Sequence, residues 1–407
     1  MKRAYVFNTG CIRRGLDCTR ICHYLKENGW SFTRRIRAAD LILISTCGTI
    51  KKNERLSLAA IRSITQRRSD HAKVIITGCL PKINPTGIQE LGDFEFVPTR
   101  DMEKLDTLLD SKVKLADIPD ANLVSNELGF LDYVLAYRLF RNSYSLGLYT
   151  KLSTSQTFNK LCVFMGDVSN LVKSTFGMAT RQKIVPYYNL RIGQGCVFKC
   201  SYCAIRFATG RLKSKPIDQI IDEFKKGLEE GHKVFQLVCE DTGCYGLDIG
   251  TTFPTLLKRL FEIQGDYQIL IIDFCGLWVV RYYDELVHLF QEHPGKVKEL
   301  YVSLQSGSDK ILRAMKRPVK TEDLIAKLKE IKTKFPEINI RTTVIIGFPG
   351  ETDEDFMETV KAVKAVGFSE VQLNKYEDRP GTVSSKMKDK IPQDVIDRRY
   401  KLIKQYC

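Results

Sequence analysis

No stretch of this sequence approaches the ~20 uninterrupted apolar residues that a membrane-spanning helix needs. The chain also opens without the leader pattern of a secreted protein, and it contains no tandem repeat. Acidic side chains are in the minority, 48 Asp and Glu against 63 Lys and Arg, a formal net charge of +15. That surplus favours an anionic partner such as RNA, an acidic peptide or a membrane surface; a solvated Lys-rich surface has the same composition. Histidine is scarce, with five in 407 residues, which bears on the metal chemistry below. A soluble, cytoplasmic protein is expected.

What is abundant is cysteine, 13 in all. In a small secreted chain they would suggest disulfides, but here they lie in a long α/β pattern, where a reducing cytosol and metal-bound thiolates fit better. At 43% hydrophobic, the chain is long enough for two or three domains with separate cores.

The first hundred residues alternate short apolar runs (5–9, 41–46, 74–78) with amphipathic stretches (18–28, 56–67), the mark of a small parallel sheet covered by helices. A cysteine follows each run: Cys11 after YVFNTG, Cys47 after LILIST and Cys79 after VIITG. Strands of one parallel sheet end on the same edge, so the three thiols are expected to converge there.

From residue 187 the alternation resumes. Strands are expected at 188–192, 234–238, 269–274, 300–304, 341–346 and 370–373. Helices are expected at 217–229, 253–263, 282–290, 324–334 and 354–366. Six βα units read as a partial (β/α)6, TIM-like barrel with its chemistry at the C-terminal mouth. Three regions are therefore expected: an α/β cluster domain over 1–100, an aromatic-rich linker or insert over 101–185, and the barrel over 186–407.

The most specific signal is RIGQGCVFKCSYCAIR, which sets Cys196, Cys200 and Cys203 in a CxxxCxxC run just after the first barrel strand. Three thiolates can hold three irons of a four-iron four-sulfur cluster and leave the fourth iron open. That iron can chelate the amino and carboxylate groups of S-adenosylmethionine, and electron transfer into the sulfonium then releases a 5′-deoxyadenosyl radical. Zinc would need a second CxxC unit or a histidine, and no Cys or His follows Cys203 until His232.

With Tyr202 before its last cysteine, the run resembles the signature of the radical S-adenosylmethionine superfamily. That resemblance implies cofactor contacts at strand ends: Tyr202 beside the cluster, Glu240 and Asp241 near the methionine ammonium, Gln305 and Ser306 near the ribose, and Ile346 and Gly347 bordering the adenine. Each of these positions is also an ordinary strand-to-helix turn, where Gly, Ser, Asp and Glu are common.

GCVFKCSYC, EDTGCYGLD, LQSGSDKILRAMKRP, IIGFPGETDEDF and DRPGT occur in the order found in radical methylthiotransferases, and Cys11, Cys47 and Cys79 match that family's auxiliary-cluster domain. The resemblance covers about 1–100 and 187–407, and EDTGCYGLDIGTTFPTLL is most similar to the branch that thiomethylates threonylcarbamoyladenosine in tRNA. It implies a second four-iron four-sulfur cluster on Cys11, Cys47 and Cys79 that carries the sulfur to be inserted. It also implies two S-adenosylmethionine molecules per turnover and a reductant such as flavodoxin or ferredoxin.

Against the family pattern, the usual small β-barrel is expected to be missing after Cys407, and the barrel-mouth residues differ. A peptide or protein side chain is therefore the expected substrate, with a tRNA adenosine as the alternative and another radical carbon–sulfur bond on a peptide as a third reading. Cys244, Tyr376 and Arg379 are candidate substrate contacts. Cys239 and Cys275, at the ends of apolar strands, are expected to be packing, as are Cys18 and Cys22, four apart on a helix. Cys162 and Cys407 carry no readable role.

Overall fold

The computed structural model describes residues 2–125 and 187–407. The chain divides into two compact units, 1–186 and 187–407.

In the first unit the described elements run β1 (Arg3–Asn8), α1 (Ile12–Glu27), β2 (Ser31–Phe32), β3 (Leu41–Thr46), α2 (Lys51–Thr65), β4 (Lys73–Gly78), α3 (Leu80–Ile83), α4 (Pro85–Gln89), β5 (Glu95–Pro98) and α5 (Lys104–Leu108). All five strands are parallel, in the order β2-β1-β3-β4-β5. Strand β3 is buried along its whole length, as a central parallel strand covered on both faces must be. Its side chains alternate: Leu41 and Leu43 join one core with Cys18, Ile21, Cys22 and Leu25 of α1, while Ile42 and Ile44 join the other with Ala60, Ile61 and Ile64 of α2. Positions 18, 21, 22 and 25 share one helical face, which gives Cys18 and Cys22 the packing role expected of them.

The sheet has two strands more than the three expected, β2 and β5. Met102, Leu105, Leu115 and Ile118 pack into the α1-side core, so the described start of the expected 101–185 insert belongs to this unit. The rest of that insert, with Cys162, lies outside the described residues.

The second unit runs β6 (Tyr188–Arg191), β7 (Gly193–Gln194), α6 (Ile205–Thr209), β8 (Lys213–Ser214), α7 (Ile217–Glu229), β9 (Val234–Val238), α8 (Phe253–Phe261), β10 (Gln268–Cys275), α9 (Gly276–Arg281), α10 (Tyr283–Glu292), β11 (Val297–Gln305), α11 (Asp309–Ala314), α12 (Thr321–Lys334), β12 (Asn339–Ile346), α13 (Asp353–Val366), β13 (Glu370–Lys375) and α14 (Gln393–Ile403). Six parallel strands stand in the order β13-β12-β11-β10-β9-β6, and β7 and β8 form a separate antiparallel pair. Each strand neighbours the next in sequence, as in the expected partial (β/α)6 barrel.

The helices form for local reasons. Helix α7 buries Ile220, Ile221, Phe224 and Gly227 on one stripe. Helix α13 starts on a capping box, Thr352 with Asp355, and stops at Gly367 in the left-handed conformation. Among the described residues no helix is long and apolar enough to cross a membrane.

Candidate functional site

The three N-terminal cysteines follow β1, β3 and β4, which are neighbours in the sheet. Asn8 pairs with Ser45 and Thr46 with Gly78, so Cys11, Cys47 and Cys79 leave the same edge. Cys11 is exposed while Cys47 and Cys79 are buried.

Ser57 of α2 braces this edge. Its Oγ accepts the Cys47 N–H at 2.9 Å, donates to the Cys47 carbonyl at 3.1 Å and lies 2.8 Å from Thr9 Oγ1. Cys47 Sγ has Thr49 Oγ1 at 3.2 Å and receives Asn53 Nδ2 at 3.6 Å. The N-caps of α1 and α3 are Cys11 and Cys79 themselves, and neither these helices nor α2 has a side chain capping its first turn. The positive helix ends at this edge suit an anionic group.

The second triad sits in the loop after β6 and β7. Glu240, just beyond β9, accepts the Gly195 N–H at 2.6 Å. Ser201 donates from its backbone N to the Met315 carbonyl at 3.0 Å and from its Oγ to the Ala314 carbonyl at 2.8 Å, and its own carbonyl accepts from Ser384 N at 2.9 Å. The loop is thus fixed to the segments after β9, β11 and β13. Burial pushes the Cys203 thiol up to about 11, with help from the neighbouring Cys200. The Cys200 thiol is also raised by burial, against the pull of Arg317.

Arg317 was not foreseen as a site residue, although it lies inside the LQSGSDKILRAMKRP stretch. It is 6% exposed. Its Nη1 donates to Cys200 Sγ at 3.8 Å and Tyr202 Oη at 3.5 Å, and its Nη2 to Cys275 Sγ at 3.1 Å and the Ser303 carbonyl at 2.6 Å.

The expected cofactor contacts fall on the C-terminal edge of the second sheet. Gln305 ends β11 at a break in its register with β12. Its backbone is left-handed, φ 69°, and its buried Oε1 has no hydrogen-bond partner. A strained residue with an orphaned acceptor suits a bound ligand that donates to it. Tyr202 packs with Met315, Phe348 and Tyr376, which ties the cysteine loop to the segments beyond β12 and β13.

Other candidates are turned inward. Asp241 accepts from Trp278 Nε1 at 2.7 Å and from Cys275 N at 3.1 Å, and burial lifts its carboxyl to about 6. Ser306 is fully buried, with Thr359 Oγ1 at 3.3 Å and the Ser308 N–H at 3.2 Å. These two side chains brace strand-end loops. Gly347 donates its N–H to Glu351 at 2.8 Å and lies under Ile396 of α14, and the Ile346 carbonyl accepts from Tyr376 N.

Tyr376 donates its hydroxyl to Asp378 or Ser384, each at 2.8 Å, and Arg379 is buried. Cys244 is fully buried, with its Sγ on the Asp241 carbonyl at 3.0 Å. Contact with Cys196 and Cys239, together with burial, keeps its thiol protonated. Cys244 therefore lines the inside of the cysteine loop as a buried thiol. Cys239 and Cys275 are buried as expected, but Cys275 also faces the Arg317 cation. Among the described residues no three His, Cys, Asp or Glu side chains are gathered to hold a single metal ion.

Residues 190–363 match the Radical SAM superfamily and residues 3–97 match Uncharacterized protein family UPF0004. The chain is 29% identical over 404 residues to the Probable threonylcarbamoyladenosine tRNA methylthiotransferase of Pyrococcus abyssi, covering 99% of this chain and 83% of that protein. It is also 29% identical over 405 residues to the Ribosomal protein uS12 methylthiotransferase RimO of Carboxydothermus hydrogenoformans, covering 97% and 80%. Among solved structures, the radical S-adenosylmethionine methyltransferase TsrM of Kitasatospora setae superposes with TM-score 0.60 at 11% identity, over 95% of this chain and 77% of that one, a likeness of fold alone.

Proposed function

We propose that this chain, which belongs to the radical S-adenosylmethionine methylthiotransferase family, inserts sulfur, as a methylthio group, at an unactivated carbon–hydrogen bond of a peptide or protein side chain. Two four-iron four-sulfur clusters and S-adenosylmethionine are the cofactors of this chemistry. The residues present fit them: three cysteines follow strand ends in each unit, two of the first three begin helices, and Gln305 at the end of β11 keeps a buried acceptor without a partner. When bound, the cofactors supply an electron, a carbon-based hydrogen abstractor and a transferable sulfur.

The chain's own residues then have separable roles. Cys196, Cys200 and Cys203 would hold the radical-generating cluster, and Cys11, Cys47 and Cys79 the auxiliary one. Glu240 and Ser201 fix the loop that carries the second triad. Gln305 at the end of β11, with Ile346 and Gly347 at the end of β12, would receive the nucleoside part of S-adenosylmethionine, and Tyr202 would stand beside the cluster. Tyr376 and Arg379 border the substrate.

The observation that carries the peptide reading is the surface of the βα loops. Val197, Leu247, Ile249 and Val383 are exposed large apolar side chains, and all four follow the C-terminal ends of β6, β9 or β13, where a barrel of this kind places its mouth. Apolar side chains there suit a peptide better than a polyanion. The RimO relatives modify a ribosomal protein by name.

The net charge of +15 and the tRNA methylthiotransferase of Pyrococcus abyssi favour the second reading, a tRNA adenosine. Mass spectrometry of co-expressed proteins and of digested tRNA separates the two. A gain of one CH2S unit on a peptide side chain supports the first reading, and the same gain on a tRNA nucleoside replaces it with the second.

A further inference from the structure

We propose that Arg317 is a positioning residue for electron transfer: its buried guanidinium, against Cys200 Sγ, raises the reduction potential of the cluster held by Cys196, Cys200 and Cys203. The inference rests on the reading of that triad as a cluster site.

Arginine stays charged in any protein environment, and a buried cation is costly unless an anion answers it. The groups around Arg317 are formally neutral: two thiols, a tyrosine hydroxyl and a backbone carbonyl. Its Nε has no hydrogen-bond partner, and among the described residues no carboxylate lies within ion-pair distance of it. Asp241 feels the Arg317 charge, yet its two oxygens are taken up by Trp278 and the Cys275 backbone.

The pocket thus holds a cation with no carboxylate in direct contact and with one face on Cys200 Sγ. A thiolate-held cluster is the anion that answers it, and each added electron makes that cluster more negative. At this range and with this little water, a fixed positive charge favours the reduced state. At the first triad, Cys47 Sγ meets the neutral donors of Thr49 and Asn53.

The test uses the full chain, anaerobically reconstituted, in redox titrations followed by electron paramagnetic resonance. The signal to follow is the one lost in Cys200→Ala. In Arg317→Met that centre should be reduced with at least a tenfold smaller equilibrium constant, a midpoint ~59 mV lower for one electron. Arg317→Lys, which keeps the charge and loses the fork, should fall between. The cluster-free Arg317→Met protein should melt no lower than the cluster-free parent, because a buried cation has been removed.

An unchanged midpoint in either variant at full iron content overturns the proposal. So does weaker S-adenosylmethionine binding with an unmoved midpoint, which would make Arg317 a ligand clamp. If Cys200→Ala loses no signal, the cluster reading itself fails, and the inference falls with it for a distinguishable reason.

Discussion

The two cysteine triads solve one problem in opposite ways. In the first unit the thiols follow three neighbouring strands and share an edge only once the sheet is complete, with Thr49 and Asn53 beside Cys47. In the second unit one short loop supplies all three, and distant segments press on it: Glu240, Ala314, Met315, Arg317 and Ser384. The difference teaches that a set of ligands may be local in sequence and still depend on the whole fold for its surroundings.

The sharpest way to break the comparison is to remove each triad. Replacing Cys196, Cys200 and Cys203 by Ala is expected to abolish formation of 5′-deoxyadenosine, measured chromatographically. Replacing Cys11, Cys47 and Cys79 is expected to leave that product and end sulfur insertion, with iron content halved in either case. Unchanged iron after the second replacement would show that the first triad is structural.

Next in size are the glycines beside each triad. Gly78 and Gly195 have φ of 94° and 84°, and a Cβ would collide with the Thr46 carbonyl at the first and the Arg211 carbonyl at the second. Ala at either site is expected to cost on the order of 2 kcal/mol or more. Hydrogen exchange read by mass spectrometry should place the loosening at 41–49 and 73–83 for the first, and at 190–215 for the second. Identical exchange maps would erase the distinction between the edges.

Ser57→Ala should cost about 1–3 kcal/mol, because it strips partners from the buried Cys47 backbone. It should accelerate exchange after β3 and leave the second triad untouched, a contrast that chemical denaturation and exchange together would check.

The smallest effect is graded with pH and confined to the second unit. Burial lifts the Glu351 carboxyl from 4.5 to about 7, outweighing the Gly347 N–H and the Arg399 guanidinium that hold it ionised. The native state then keeps a proton that the unfolded chain releases, so stability falls as pH rises from 4.5 to about 7. Glu351→Gln is expected to flatten that slope, by at most ~1.4 kcal/mol per pH unit for one proton. A slope retained in thermal melts would assign it elsewhere.

Legibility followed the range of each signal. Helix α7 and strand β9 have the bounds expected, because a 3.6-residue stripe and an apolar run are complete within themselves. Strand β2 is two residues paired with Arg3 and Ala4, and β5 holds Glu95 and Pro98; neither has a local signature, and tertiary pairing alone makes them strands. Helix α9 was hidden in the apolar run ILIIDFCGLW, where periodicity does not separate a buried strand from a buried helix.

The cysteine spacing was plain, and so was the glutamine at the end of β11. The roles of Asp241, Ser306 and Cys244 were not, since only the fold shows that their polar atoms face Trp278, Thr359 and Cys196. Arg317 reads in the sequence as one more surface cation of a basic chain.

The placement of Cys11, Cys47 and Cys79 also sets an order of events during biogenesis. They span residues 11 to 79, so under the proposed ligation iron delivered before β1, β3 and β4 had paired would find no prepared seat, and closing so long a loop around it would be entropically uphill. A cluster held by these three cysteines would knot three strand termini together, and its loss would loosen that edge. A chelator should therefore soften residues 9–11, 47–50 and 79–83 together.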